Sequence, residues 1–164
     1  MKYSYFPGCS MKATGKAYDF SIKYVTKKIG MELLEIDDWN CCGATAAHST
    51  SADLALGLNA RTLALAEAQY PDLEIAVPCA ACYSALRSAL YAARSSKEKL
   101  AKIQDLIEMP YEGKNGVISF METFSRPDAM KAIKENVVAA VGRLKSSLLL
   151  WLPHSKTGQN SRLR

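Results

Sequence analysis

The chain has 164 residues, which is enough for one domain with a substantial hydrophobic core. Its hydrophobic fraction of 49% and charged fraction of 23% are typical of globular proteins and exclude a disordered or fibrous chain. No apolar run reaches the roughly eighteen residues of a membrane span, and the N-terminus carries no apolar leader. We therefore expect a cytoplasmic protein without a membrane span.

The net charge of +5 is concentrated at one end of the chain. Residues 141–164 carry five of the 21 basic residues and no acidic residue, which leaves 16 basic against 16 acidic residues before them. No basic stripe is interleaved with aromatic residues, so we expect no nucleic-acid partner.

Short apolar runs alternate with helical patterns along the chain. In chain order, the predicted elements are a strand over 2–6, a helix over 17–29, a strand over 31–36, a helix over 51–68, a strand over 73–77, helices over 80–93 and 97–107, a loop over 110–116 and a last helix over 127–141. Gly30 is the expected C-cap of the first helix, Ser51 the N-cap of the second, and Pro127 the first residue of the last.

Within the first predicted helix, Tyr18, Ile22, Val25 and Ile29 recur at helical spacing and are expected to face the core. Leu54, Leu58, Leu65 and Ala68 mark the second helix in the same way. Strands alternating with helices predict an α/β fold, a short parallel sheet built from βαβ units with right-handed crossovers.

The five cysteines form the pattern Cx31CCx36CxxC, at Cys9, Cys41, Cys42, Cys79 and Cys82. They follow the first, second and third predicted strands, so the parallel sheet brings their thiols to one edge. Thiolates bind soft and borderline metals, and this set predicts an iron–sulfur site with all five as ligands. A structural zinc site, which needs four ligands, and a thioredoxin-like redox pair made by the CxxC alone are the chemical alternatives.

Three segments carry a family resemblance: YFPGCS at 5–10, DWNCCGAT at 38–45 and PCAACY at 78–83. They resemble the cysteine-rich CCG domain, in particular that of the B subunit of CoB–CoM heterodisulfide reductase. The likeness extends over residues 1 to 145 or so. Only the first of that subunit's two CCG motifs is present in this chain.

The resemblance implies a non-cubane 4Fe–4S cluster held by the five cysteines, at which a disulfide of the CoM-S-S-CoB kind is reduced. It also implies two partners in the same complex, a ferredoxin-like iron–sulfur subunit and a flavin-containing subunit. Other CCG proteins serve glycolate, lactate, glycerol-3-phosphate or succinate oxidation, so an electron-transfer module of another oxidoreductase is the alternative function. A zinc-stabilised structural domain is a further one.

Other residues near the cysteines are weaker candidates. His48 is a candidate proton donor to a departing thiolate, and its alternative role is to cap or pack against the following helix. Trp39 and Asn40 are expected at the cluster pocket, although Trp39 fits the core equally well. Lys12 and Lys16 are candidates for contact with an anionic substrate, against the ordinary role of solvated lysines on a helix.

Residues 146–164 differ in character from the rest, with the apolar run LLLWL at 148–152 followed by a polar, basic end. We expect a CCG domain over 1–145 and a disordered or poorly packed tail over 146–164. Back-translation with a shift of one base after Lys145 yields a strand-like segment and then Tyr-Gly-Cys, similar to the opening of a second CCG motif. This predicts a frameshifted or truncated B subunit that is inactive alone.

Overall fold

Four short strands form one parallel sheet in residues 1–137, the part of the chain that the computed structural model describes. The strands are β1 (Lys2–Tyr5), β2 (Glu32–Glu35), β3 (Ile75–Val77) and β4 (Val117–Ser119). Their order across the sheet is β2-β1-β3-β4, and every neighbouring pair is parallel. The predicted α/β fold with a parallel sheet is confirmed.

The helices cover both faces of this sheet, as parallel strands require. They are α1 (Cys9–Lys12), α2 (Lys16–Lys28), α3 (Ala44–Thr50), α4 (Ala52–Gln69), α5 (Ala80–Ser95), α6 (Lys97–Ile107), α7 (Phe120–Ser125) and α8 (Pro127–Asn136). The residues of α2, α7 and α8 pack on one face of the sheet, around Tyr3 and Tyr5. Those of α4, α5 and α6 pack on the other face, around Phe6 and Ile75.

The first long helix forms as predicted, but its buried face is only partly the predicted one. Ile22 and Ile29 are buried, whereas Tyr18 and Val25 are 46% and 41% exposed. The helix turns Thr26 toward the sheet instead, and the Thr26 hydroxyl donates to the carbonyl of Ile22 at 2.8 Å. A hydroxyl that bonds within its own helix can be buried at little cost, which is why this position escaped a purely apolar pattern.

The second long helix, α4, begins at the predicted cap, since the Ser51 hydroxyl accepts a hydrogen bond from the Leu54 backbone N–H. Its buried stripe lies about one position away from the leucines that marked the helix in the sequence: Leu54 is 44% exposed, and Ala55, Asn59 and Leu63 are buried. Small side chains and one amide therefore face the sheet, which leaves room for the loop that carries two cysteines.

In the C-terminal part of the described chain, the structure differs from the predicted elements in two respects. The edge strand β4 and the short helix α7, which begins with a capping box between Ser119 and Glu122, lie where no element was predicted. The last helix starts at Pro127 as expected but ends at Asn136, with Val137 in an extended conformation. A β-branched residue at that point favours extended backbone. The predicted domain boundary at 145 and the tail lie outside the described residues.

Candidate metal centre

All five cysteines lie at the carboxyl edge of the sheet. Cys9 is the first residue of α1, directly beyond β1, and Cys41 and Cys42 lie in the loop between β2 and α3. Cys79 is the N-cap of α5, beyond β3, and Cys82 lies in the first turn of that helix. The order β2-β1-β3 places the crevice between β1 and β3, where the chain reverses its direction of winding, among these three loops.

The thiols form two contact pairs. The Cys9 and Cys41 sulfurs are 3.4 Å apart and exposed, and the Cys42 and Cys82 sulfurs are 3.3 Å apart and buried. Cys79 is half-buried and lies three residues before Cys82, at the start of the same helix. These separations are far longer than the roughly 2.05 Å of a disulfide bond, so the five cysteines are free thiols.

Two glycines let the cysteine loops approach one another. Gly8 has a φ of 77°, and a Cβ added to it would lie 2.9 Å from the Cys82 sulfur. Gly43 has a φ of 74°, and a Cβ there would lie 2.5 Å from that of Ala47. A side chain at either position would therefore collide with the neighbouring cysteine or the following helix, in addition to the strain of a left-handed backbone.

Helix α4 and the loop of the adjacent cysteines are joined by two asparagine side chains. The buried Asn59 amide donates to the Cys42 carbonyl at 2.9 Å and to the Ala55 carbonyl at 2.8 Å. The Asn40 amide donates to the Cys41 carbonyl at 3.0 Å and to that of Leu58 at 2.9 Å. The backbone of the adjacent cysteines, Cys41 and Cys42, is thus fixed against one helix.

Arg61, also on α4, completes this support. It donates to the Asp38 carbonyl at 2.7 Å and to the Asn40 side-chain oxygen at 3.2 Å, and it pairs with the Asp38 carboxylate. Neither Asn59 nor Arg61 was predicted from the sequence. The available signal was a polar Asn59 within a stripe of small buried residues on α4, since a buried amide needs partners for its hydrogen bonds.

The thiols are electrostatically unequal. The hydrogen bond with Cys82, together with the backbone N–H of Ala44, lowers the pKa of the Cys42 thiol to about 6 despite burial. The same contact with Cys42, together with burial, raises the pKa of Cys82 far above its usual range. The Gly43 backbone N–H lowers the pKa of Cys41, but burial and the contact with Cys9 outweigh it and raise the pKa. Within the buried pair, Cys42 is therefore the thiol that ionises more readily.

The donor set can be compared with what a metal requires. Two thiolates on one tetrahedral metal, at about 2.3 Å each, lie roughly 3.8 Å apart, and both contact pairs are within a few tenths of an ångström of that separation. Within residues 1–137, no three His, Cys, Asp or Glu side chains are placed so that they could hold one metal ion. Five thiols from three strand ends are the ligand type of iron–sulfur clusters, so the residues fit such a group.

The weaker candidates take different positions. His48 is exposed in the last turn of α3, on an open groove of about 710 Å³ between α3 and α5, and its role as a proton donor stays a prediction. Trp39 packs its ring edge-on against Phe6, with centroids 5.2 Å apart, as part of the core. Lys12 is paired with Glu35 at 2.6 Å, whereas Lys16 is exposed at the start of α2.

The parallel sheet and the thiols at its carboxyl edge define a cysteine-rich α/β domain. The chain belongs to the CCG cysteine-rich domain family, whose family model matches residues 3–87. It is also 28% identical, over 145 residues, to the 8-methylmenaquinol:fumarate reductase membrane anchor subunit of Wolinella succinogenes. That match covers 88% of this chain and 50% of the relative, so the chain spans about half the relative's length.

The matches test the family predicted from the sequence but not the particular subunit. Membership of the CCG family is confirmed, while the specific likeness to a heterodisulfide reductase B subunit stays a prediction. The relative is a subunit of a reductase with several subunits and is named as a membrane anchor. In the described part of this chain, no helix combines the length and the apolar character that crossing a bilayer requires.

Proposed function

We propose that this chain is the iron–sulfur module of a multi-subunit oxidoreductase, in which one cluster bound by Cys9, Cys41, Cys42, Cys79 and Cys82 transfers electrons. The observation that carries the proposal is the position of all five cysteines at one sheet edge, with four of their thiols in two pairs 3.4 and 3.3 Å apart. A metal-bound group of this kind supplies one-electron chemistry that protein side chains lack.

The chain's own residues would hold that group in a two-sided site. Cys42 and Cys82 form the buried side, where Asn59 fixes the backbone and the contact with Cys82 lowers the pKa of the Cys42 thiol. Cys9 and Cys41 form the exposed side. Because electron transfer requires a partner's redox group to come close, the exposed pair marks the side at which the partner protein would dock.

The fumarate reductase relative favours a partner of the succinate- and fumarate-linked class. The heterodisulfide reductase resemblance favours a ferredoxin-like partner and, beyond it, a flavin-containing one. With either partner, the task proposed for this chain is the same, which is to carry electrons between a partner's cofactor and a further acceptor or donor.

The first experiment identifies the metal and its ligands. The full chain is purified without oxygen, reconstituted with iron and sulfide, and examined for iron, sulfide and zinc content and for its electron paramagnetic resonance spectrum. We expect iron and sulfide in the wild type and a loss of both in each of five single Cys→Ala variants. A stoichiometric zinc content without sulfide, or a Cys9→Ala or Cys41→Ala variant with an unchanged cluster, would contradict the proposal.

Reduction of a disulfide at the cluster is the second candidate function. It is favoured by the exposure of Cys9 and Cys41, which leaves their side of the site open to a substrate sulfur. Paramagnetic signals that appear only when a thiol is added to the oxidised protein would support it. A spectrum that thiols leave unchanged would favour electron transfer alone.

A further inference from the structure

The carboxylate of Glu35, the last residue of β2, receives donors from three different segments. Lys12 Nζ lies 2.6 Å from Oε1, Trp39 Nε1 donates to the same oxygen at 3.3 Å, and Lys23 Nζ donates to Oε2 at 3.4 Å. The side chain is only 32% exposed, although it is charged and stands on an edge strand. A half-buried carboxylate with this many partners is a structural junction, because each contact fixes a different piece of chain.

Two of these donors belong to segments that carry exposed cysteines. Lys12 is the last residue of α1, and Cys9 is the first residue of the same four-residue helix. Trp39 precedes Cys41 by two positions in the loop after β2. Glu35 therefore connects the backbone on both sides of the Cys9–Cys41 contact.

The third donor ties this junction to the end of β1. Lys23 also pairs with Asp19 at 2.8 Å, and Asp19 accepts a hydrogen bond from the Tyr5 hydroxyl at 2.7 Å. Tyr5 is the last residue of β1, immediately before the turn that leads to Cys9. The buried pair of cysteines depends on other contacts, those of Asn59 on α4 and the close approach of Gly8.

We propose that Glu35 is a positioning residue that sets the separation of the Cys9 and Cys41 thiols through its contacts with Lys12 and Trp39. The inference rests on the proposed function for its purpose, the placing of cluster ligands. The placement itself is a property of the metal-free chain and can be measured there.

The test is thiol–disulfide exchange in the metal-free full chain. When oxidised glutathione reacts with a cysteine pair, the two protein thiols lose two protons and two electrons and form a disulfide, and two molecules of reduced glutathione are released. Mass spectrometry of the digested protein quantifies the Cys9–Cys41 and Cys42–Cys82 disulfides separately. Each equilibrium gives the effective concentration of one thiol toward the other.

We expect Glu35→Gln to lower the effective concentration of the exposed pair by about three- to tenfold, because the ion pair with Lys12 is lost but is half-exposed, and Gln still accepts one hydrogen bond. The Cys42–Cys82 equilibrium should stay within about twofold, as an internal control. Glu32→Gln is the matched control on the same strand. Glu32 pairs with Lys2 at 2.9 Å at the opposite end of β2 and should leave both equilibria unchanged.

Variants of Lys12 and Trp39 test whether Glu35 acts through these two contacts. Lys12→Met and Trp39→Phe each remove one donor, and Trp39→Phe retains an aromatic ring beside Phe6. Each should reproduce part of the loss, and adding Lys12→Met to Glu35→Gln should change little further. An unchanged exposed-pair equilibrium in Glu35→Gln would overturn the proposal. So would an equal fall in both pairs, which would mean a general loss of stability.

The outcome separates this inference from the proposed function. If Glu35 positions the thiols but the chain holds no cluster, Glu35→Gln shifts the exchange equilibrium while the wild type takes up no iron and sulfide. If the chain holds a cluster but Glu35 does not position the thiols, the exchange equilibria and the paramagnetic spectra of wild type and Glu35→Gln coincide.

Discussion

Asn59 offers the sharpest test of how the adjacent cysteines are held. Its side chain is 2% exposed, and its amide donates to the carbonyls of Cys42 and Ala55 at 2.9 and 2.8 Å. Asn59→Ala removes both hydrogen bonds and leaves two carbonyl oxygens without that partner. The Ala55 carbonyl keeps its helical partner, whereas the buried Cys42 carbonyl is left unsatisfied at about 1–3 kcal/mol, so we expect a loss of about 2–3 kcal/mol in the free energy of unfolding.

The assay is urea unfolding of the metal-free chain under reducing conditions, so that neither cluster nor disulfide contributes. A loss of this size corresponds to a fall in melting temperature of roughly 10 °C in a domain of this length. Asn59→Asp should cost at least as much, because it places a carboxylate oxygen where the amide nitrogen faced two carbonyls.

Asn136→Ala is the matched control. The Asn136 amide also donates to the carbonyl four residues earlier, that of Ala132, at 2.9 Å, but at an exposed site on α8. Water replaces that partner, so the expected change is within about 0.5 kcal/mol. If Asn59→Ala costs no more than Asn136→Ala, the reasoning that α4 holds the cysteine loop through this amide is refuted.

Two further predictions concern the neighbouring backbone and the polar network. In urea unfolding, Gly43→Ala should lower the free energy of unfolding by at least about 1.5 kcal/mol more than Gly30→Ala does. Both glycines have a positive φ, but only at Gly43 would an added Cβ collide with Ala47. Equal losses in the two variants would contradict a role for this close contact. Burial by itself raises the pKa of Asp19. The hydrogen bonds from Lys23 and Tyr5 outweigh this effect, so the pKa of Asp19 lies below its ordinary value. Asp19 thus stabilises the fold above the unfolded-state pKa of about 4, and this contribution is lost as pH falls through the lower folded pKa. Asp19→Asn should therefore flatten the dependence of unfolding free energy on pH between about 5 and 2, and an unchanged slope would argue against the network.

The sequence was sufficient to predict the sheet and the edge at which the cysteines lie because both depend on strong local signals. Strand, helix and breaker patterns alternate clearly up to residue 107, and cysteines are rare enough that five at strand ends stand out. The four-residue α1 and the three-residue β4 were missed. Elements this short carry too few residues for a periodic pattern, and tertiary contacts decide them.

Helix faces were harder to predict than helices. In α2 and α4, the predicted face was partly wrong because Thr26 and Asn59, both polar, are buried. Each donates a hydrogen bond to a carbonyl, and a hydrophobic pattern cannot reveal such partners. The roles of Glu35 and Arg61 were missed for a related reason, since a charged residue on an edge strand or a helix ordinarily faces water.

Asn59 supports the buried pair of thiols and Glu35 supports the exposed pair, and each has the chemistry that suits its surroundings. The buried pair is held by a neutral amide, Asn59, because an unpaired charge at that depth would carry a large desolvation cost. The exposed pair is linked to a carboxylate, Glu35, which water and two lysines keep ionised at low cost. A partner that docks over Cys9 and Cys41 would exclude water from Glu35 but leave Asn59 as it is. Any change in thiol geometry on docking should therefore arise at the exposed pair, which is the side that faces the partner in the proposed function.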